Sequence, residues 1–109
     1  MALSPYKIMW LLVLFDLPTT SKRQQKRASR FRTMLIEEGF MMKQFSVYLK
    51  HCPSREKALA ISKRVGGQTP SEGDVSIMFF TDKQFGQVLN FSGKKEQAVE
   101  KKPDQFALF

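Results

Sequence analysis

We predict from the sequence an α+β domain in which two helices pack against one face of a small sheet. Three observations support this prediction. The chain has 109 residues, which is enough for one compact core, and 42% of them are hydrophobic. Two segments repeat apolar residues at helical spacing. Other segments are unbroken or alternating apolar runs, which are typical of strands.

The first strand is predicted at residues 8–15, an unbroken apolar run that is typical of a central strand covered on both faces. Ser21 and Gln24 have the spacing of a capping box, so the first helix is expected to begin near Ser21. Gly39 stands where a left-handed helix end is expected. Apolar residues recur at helical spacing within this helix at Ala28, Phe31 and Leu35.

A second strand and a second helix follow. Residues 41–50 alternate polar side chains with Phe45, Val47 and Leu49, so one face of this strand is expected to be buried. The second helix is predicted to begin at Pro53 and Ser54 and to end at residues 66–67, which are both glycine. Its buried face is predicted to contain Ala58, Ile61 and Val65.

The last elements are a strand at residues 75–81, a turn at residues 81–84 and a shorter strand at residues 88–91. The element order fits a ferredoxin-like α+β sandwich, with a right-handed crossover between the first two strands. An additional C-terminal strand would lie at a sheet edge, which predicts dimerisation through residues 88–91. We assign residues 1–91 to this domain and residues 92–109 to a charged linker with an apolar C-terminal tail.

The net charge indicates the kind of binding partner, and the cysteine content indicates the cellular compartment. Eighteen Lys and Arg residues against ten Asp and Glu give a formal charge of +8, which favours a polyanion such as nucleic acid. Cys52 is the only cysteine, so no intramolecular disulfide is expected and the cytoplasm fits best. The apolar run at residues 8–15 is far shorter than a membrane span, and we expect neither membrane insertion nor export.

Asp16 directly follows the first strand and is a candidate catalytic and metal-binding residue. A carboxylate at such a position also serves simply as a turn residue. Magnesium usually binds one or two carboxylates together with water and phosphate oxygens, so one Asp per subunit is a small ligand set. A two-fold dimer that brought two copies of Asp16 together would enlarge it.

The first helix carries a predicted phosphate-binding surface. Four of its basic residues fall at positions i, i+3, i+4 and i+7, and Lys22 stands beside them. We call the four the basic stripe: Arg23, Lys26, Arg27 and Arg30. Such a stripe binds a nucleic-acid backbone without reading its sequence, and the alternative is a solvated helix face.

Other candidate sites are weaker. Phe31, Phe45 and Phe79 occupy core-facing positions of the predicted elements, so we expect them to pack in the interior rather than to stack on bases. His51 and Cys52 are neighbours on a strand and therefore point to opposite faces, which argues against a Cys-His catalyst. A zinc site would need further His or Cys residues, and the chain has one of each.

Four features of the sequence together resemble a known family. Leu14-Phe15-Asp16-Leu17-Pro18 closes the apolar strand, and an Arg-rich helix, Gly39-Phe40 and Gln44-Phe45-Ser46-Val47-Tyr48 follow. This combination resembles the Cas-two family, the small nuclease-like adaptation subunit of CRISPR systems, over residues 9–91. The last five residues, 105–109, resemble the tail of members found beside Cas-nine systems.

The resemblance implies a homodimer with a ferredoxin-like βαββαβ fold, in which both subunits contribute Asp16 to a Mg²⁺ site. It implies a metal-dependent endonuclease that acts on RNA or DNA, and a scaffold that holds duplex DNA between integrase (Cas-one) dimers during spacer acquisition. In the scaffold role the first helices would bind DNA, and the tail residues Phe106, Leu108 and Phe109 would dock the integrase subunit. Two alternatives remain open, a purely architectural subunit and a ferredoxin-like RNA-binding module.

Overall fold

The computed structural model describes residues 8–101. Its central sheet contains four antiparallel strands in the order β2-β3-β1-β4. They are β1 (Met9–Asp16), β2 (Met41–Gln44), β3 (Val47–Cys52) and β4 (Asp74–Thr81). Strands β1 and β2 run parallel and are separated by β3. The predicted ferredoxin-like sandwich is confirmed.

Helices α1 (Lys22–Glu37) and α2 (Arg55–Gly67) begin at the capping residues that the sequence indicates. The Ser21 hydroxyl accepts the backbone N–H of Gln24, and the Gln24 side-chain oxygen accepts the N–H of Ser21, so the predicted capping box is confirmed. At α2 the Ser54 hydroxyl accepts the backbone N–H of Lys57 at 3.2 Å, without a reciprocal side-chain bond from Lys57. Gly39 follows α1 with a φ of 95°, the left-handed conformation that glycine adopts without strain.

Both helices pack on one face of the sheet and enclose the main core. Alternate residues of β1 point to this face: Met9, Leu11, Val13 and Phe15. The helices contribute the residues that the helical spacing predicted, all of them buried: Ala28, Phe31, Leu35, Ala58, Ile61 and Val65. Burying each large apolar side chain stabilises the fold by about 1.5–3 kcal/mol.

The opposite face of the sheet has a smaller cover, built around the short helix α3 (Asp82–Phe85). The Phe85 ring stacks on Trp10 with the ring centroids 4.3 Å apart, and the Trp10 indole N–H donates to Asp82 Oδ1 at 2.8 Å. Leu49 completes this buried cluster. The cover is partial, since Met78 on the same face keeps 46% of its surface exposed.

Residues 41–50, predicted as one strand, form the β2-β3 hairpin, so that prediction was wrong. The chain reverses at Phe45 and Ser46, and Ser46 adopts a φ of 68°. Because Phe45 lies in the turn rather than in a strand, it is 76% exposed, and its predicted core position was also wrong. Phe31 and Phe79 pack in or against the main core as expected.

The segment after β4 also differs from the prediction. The expected turn at residues 81–84 is largely the helix α3, which is capped by Thr81. The last predicted strand, at residues 88–91, is displaced to β5 (Asn90–Ser92) and pairs with β6 (Lys95–Gln97) in a separate two-stranded sheet. A short strand thus occupies part of the predicted linker. No helix within residues 8–101 is long and apolar enough to cross a membrane.

Candidate nucleic-acid interface

Asp16 is the last residue of β1, and its side chain is exposed. In the antiparallel β1-β4 pair it lies directly opposite Asp74, the first residue of β4. Phe15 and Val75 contact the helix-facing core, so alternation along the strands places both carboxylates towards the opposite face. Asp74 could not be identified from the sequence, because its relation to Asp16 depends on the register of two strands far apart in the chain.

Gly73 allows this close approach of β4 to the end of β1. It has a φ of 99°, and a Cβ atom there would lie 2.7 Å from the Asp16 carbonyl oxygen and 2.8 Å from Leu17 Cδ2. Any larger residue would therefore push the two strand ends apart. The glycine fixes the spacing of the carboxylate pair.

The donor set at this end fits a hard divalent cation. Mg²⁺ prefers carboxylate oxygens, and one or two carboxylates with water and phosphate are its usual ligands in nucleic-acid enzymes. Asp16 and Asp74 supply that number from one subunit. Within residues 8–101 no group of three or more His, Cys, Asp or Glu side chains gathers to form a fuller metal cage. An ion at this pair would thus depend on water and substrate for its remaining ligands.

The N-terminal half of α1 lies near the same end of the sheet, because α1 starts six residues after Asp16. Lys22, Arg23, Lys26 and Arg30 are exposed, and Arg27 is half-buried. The structure therefore places four of the five predicted phosphate-binding residues in solvent. The first turn of α1 contains no acidic residue, so no carboxylate on that turn offsets their charge.

Arg27 is held by the loop that leads into β4. Its Nη1 atom lies 3.4 Å from Glu72 Oε1, and the Gln24 side-chain amide donates to the other Glu72 oxygen at 2.9 Å. Glu72 is two residues before Asp74, so this contact links the basic stripe to the carboxylate pair. An open groove next to Arg27 is lined by Arg27, Arg30, Phe31, Met34, Gln68, Pro70 and Ser71.

Arg32 leaves the other side of α1 and reaches the tip of the β2-β3 hairpin. Its guanidinium carbon lies 4.4 Å from the centroid of the Phe45 ring and 5.4 Å from that of Phe15. Its Nη2 atom donates to the Ser46 hydroxyl at 3.4 Å. The backbone N–H of Phe15 donates to the Ser46 carbonyl at 3.1 Å, so this hairpin tip is bonded to β1 one residue before Asp16.

His51 and Cys52 lie on opposite faces of β3, as predicted. The Cys52 side chain is fully buried in the helix-facing core, and burial raises the pKa of its thiol. The His51 ring packs edge-on against Trp10 with the ring centroids 5.2 Å apart. The two side chains therefore do not meet, and the thiol is not positioned as a nucleophile.

These features define a ferredoxin-like protein with a carboxylate pair and a basic helix at one end of its sheet. Comparison with known proteins specifies the family. The family model described as CRISPR associated protein Cas2 matches residues 9–88, and the chain belongs to this family. The predicted tail residues Phe106, Leu108 and Phe109 lie outside the described residues.

Two curated relatives share this similarity along nearly the whole chain. The chain is 43% identical to the CRISPR-associated endoribonuclease Cas2 of Paracidovorax avenae, covering 98% of this chain and 99% of that protein. It is 44% identical to the protein of the same name from Flavobacterium psychrophilum, covering 98% and 93%. A solved structure described as "Crystal structure of cas2" matches with a TM-score of 0.56 and 21% identity, covering 88% of this chain and 99% of that one. That structural match supports the fold.

Proposed function

We propose that this protein is a Mg²⁺-dependent endonuclease that cleaves RNA. The observation that carries the proposal is the exposed Asp16–Asp74 pair, where β1 ends and β4 begins, linked through Glu72 to the basic stripe. The relatives named as endoribonucleases support RNA as the substrate class.

Each part of this site has a distinct task in phosphodiester hydrolysis. Asp16 and Asp74 would hold the cation, which when bound neutralises phosphate charge and acidifies water. Arg23, Lys26 and Arg30 attract the RNA backbone without regard to sequence. Glu72 and Gln24 restrain Arg27, so its guanidinium is oriented before the substrate arrives.

The nuclease is tested by incubating purified protein with single-stranded RNA and with duplex DNA, in Mg²⁺ and in EDTA. We expect RNA cleavage in Mg²⁺ and none in EDTA. Asp16→Asn is the test variant for the carboxylate pair, and Glu56→Gln is its matched control. Glu56 is an exposed acid in the first turn of α2, which follows the opposite end of the sheet. Cleavage that persists in EDTA would contradict the proposal.

We further propose that the protein acts as a homodimer, as predicted for residues 88–91. The face of the sheet away from the helices is only partly covered, and exposed apolar side chains lie both on this face and in the segment around β5. They include Met78 at 46%, Leu89 at 69% and Phe91 at 60% exposure. Light scattering should give twice the chain mass, and a Phe91→Glu variant should be monomeric. A monomeric wild-type protein would overturn this assembly.

The second candidate is an architectural role, in which the dimer holds duplex DNA for an integrase (Cas-one) subunit during spacer acquisition. The specific observation in its favour is the exposed basic stripe, which needs no metal to bind a backbone. In this role, Asp16→Asn would leave duplex binding and integration intact. A reconstituted integration reaction that fails with Asp16→Asn would contradict a scaffold without catalysis.

The predicted docking of the integrase through Phe106, Leu108 and Phe109 remains a proposal. These three apolar residues follow a charged segment, the arrangement expected of a short peptide that anchors a partner. Removing residues 105–109 should abolish co-purification with the integrase subunit without changing duplex affinity. Retained co-purification would place the contact elsewhere.

A further inference from the structure

We infer that Phe45, supported by Arg32, is a stacking platform for an unpaired RNA base. This inference rests on the proposed nuclease function and specifies its substrate as a single strand. A ring that is 76% exposed at a hairpin tip contributes little to the core, although the side chain is a large aromatic. The Arg32 guanidinium packs against the ring, with its central carbon 4.4 Å from the ring centroid.

The contacts of Arg32 hold the ring in a defined orientation. The guanidinium lies between the exposed Phe45 ring and the buried Phe15 ring, and it donates to the Ser46 hydroxyl at the turn itself. One face of the Phe45 ring therefore rests against a cation, and the high exposure of the residue leaves the other face open to solvent. A platform fixed in this way loses little conformational freedom when a base stacks on it.

Its place in the fold connects the platform to the carboxylate pair. The Phe15 N–H donates to the Ser46 carbonyl at 3.1 Å, so the tip is anchored one residue before Asp16. Arg32 belongs to the helix that carries the basic stripe, although it leaves that helix on another side. An RNA strand that passes over this end of the sheet from the helix-covered face to the opposite face would meet the cations and the aromatic ring first and the carboxylates after them.

The chemistry of the platform favours an unpaired base over a duplex. Bases within a duplex are already stacked, whereas an unpaired base of any kind offers a free π-face. A guanidinium behind the ring also adds positive charge next to the phosphates of the same strand. We therefore expect the platform to bind single strands of any sequence and to contribute little to duplex binding.

The test measures binding in an Asp16→Asn background, in which the RNA stays intact. The probe is a labelled 12-nucleotide oligouridine, compared with a duplex RNA of the same length, by fluorescence anisotropy. Phe45→Ala should weaken single-strand binding about 5- to 140-fold, because stacking on one aromatic ring accounts for that range. Phe45→Trp should restore the affinity. Leu59→Ala, which removes an exposed apolar side chain from α2, is the control and should change nothing.

Other outcomes would overturn the inference. Unchanged single-strand affinity in Phe45→Ala, or an equal loss on the duplex, would show that Phe45 is no platform. A shift of Phe45→Ala from dimer to monomer in light scattering would identify Phe45 as a protein contact instead. Absent binding of RNA by the parent protein would overturn the proposed function together with the platform, whereas binding that is insensitive to Phe45 would overturn the platform alone.

Discussion

Replacing Gly73 by Ala should both destabilise the fold and impair the carboxylate pair. The new Cβ would lie 2.7 Å from the Asp16 carbonyl oxygen, and ordinary contact begins at 3.4 Å, so the strand ends must separate by about 0.7 Å. The φ of 99° adds about 1–2 kcal/mol of backbone strain for any residue with a Cβ, and the contact adds about 1–3 kcal/mol. We expect a loss of about 2–5 kcal/mol in the free energy of unfolding.

Gly93→Ala is the matched control, because Gly93 has a φ of 64° but no atom within 4 Å of its added Cβ. It should lose only about 1 kcal/mol, measured like Gly73→Ala by urea unfolding followed by circular dichroism. A shift of under 1 Å at a reacting group costs on the order of 10-fold in rate, so RNA cleavage should fall in Gly73→Ala and not in Gly93→Ala. Equal stabilities for the two variants would show that β4 does not need the close approach at Gly73.

Three further predictions concern other parts of the molecule. The hydrogen bond from Arg64 lowers the pKa of Glu38. The ion pair therefore stabilises the fold above the ordinary carboxyl pKa, and this contribution is lost as the pH falls through the lowered pKa. The melting temperatures of wild type and Glu38→Gln should converge at acid pH, and a difference that stays constant with pH would contradict this. Asp82→Ala leaves the buried Trp10 indole N–H without its acceptor, so the free energy of unfolding in urea should fall by about 1–3 kcal/mol. An unchanged unfolding midpoint would show that water replaces the carboxylate. Replacing the three exposed residues of the basic stripe by Ala should reduce the slope of log affinity against log salt by about 2–3, and an unchanged slope would mean a solvated helix face.

Local signals predicted most of the elements. The capping box at Ser21 and Gln24 and the glycine after α1 mark helix ends by hydrogen bonds that form within a few residues. The unbroken apolar run of β1 reflects a strand covered on both faces, by the helices on one side and by the Trp10 cluster on the other. Such features depend on near neighbours and can be recognised without tertiary contacts.

The β2-β3 turn shows where local signals fail. The alternation of Phe45, Val47 and Leu49 continues across the reversal, and neither Gly nor Asn marks the turn. Ser46 takes up the positive φ, which serine rarely adopts, and tertiary contacts from Phe15 and Arg32 hold the tip in place. The misplacement of Phe45 in the core followed directly from the missed turn.

Only the part of the candidate site that depends on local sequence could be predicted. Asp16 was found because it ends a strong strand signal, and the stripe because helical spacing alone aligns its members. Asp74 became visible only through strand register, and the Glu72 contact through the loop that folds back on α1. Both depend on pairings between residues more than forty positions apart, which the local pattern does not specify.

The proposed nuclease centre is tested most directly by the single-turnover rate of RNA cleavage by Asp16→Asn at saturating protein and Mg²⁺, measured beside the wild-type protein. We expect a rate at least about 100-fold lower, because the substitution removes a carboxylate from the reacting centre while leaving the RNA-binding surface in place. The dissociation constant for RNA should stay within about twofold. A variant that cleaves RNA as fast as the wild type would contradict the assignment of Asp16 and, with it, the proposed nuclease centre.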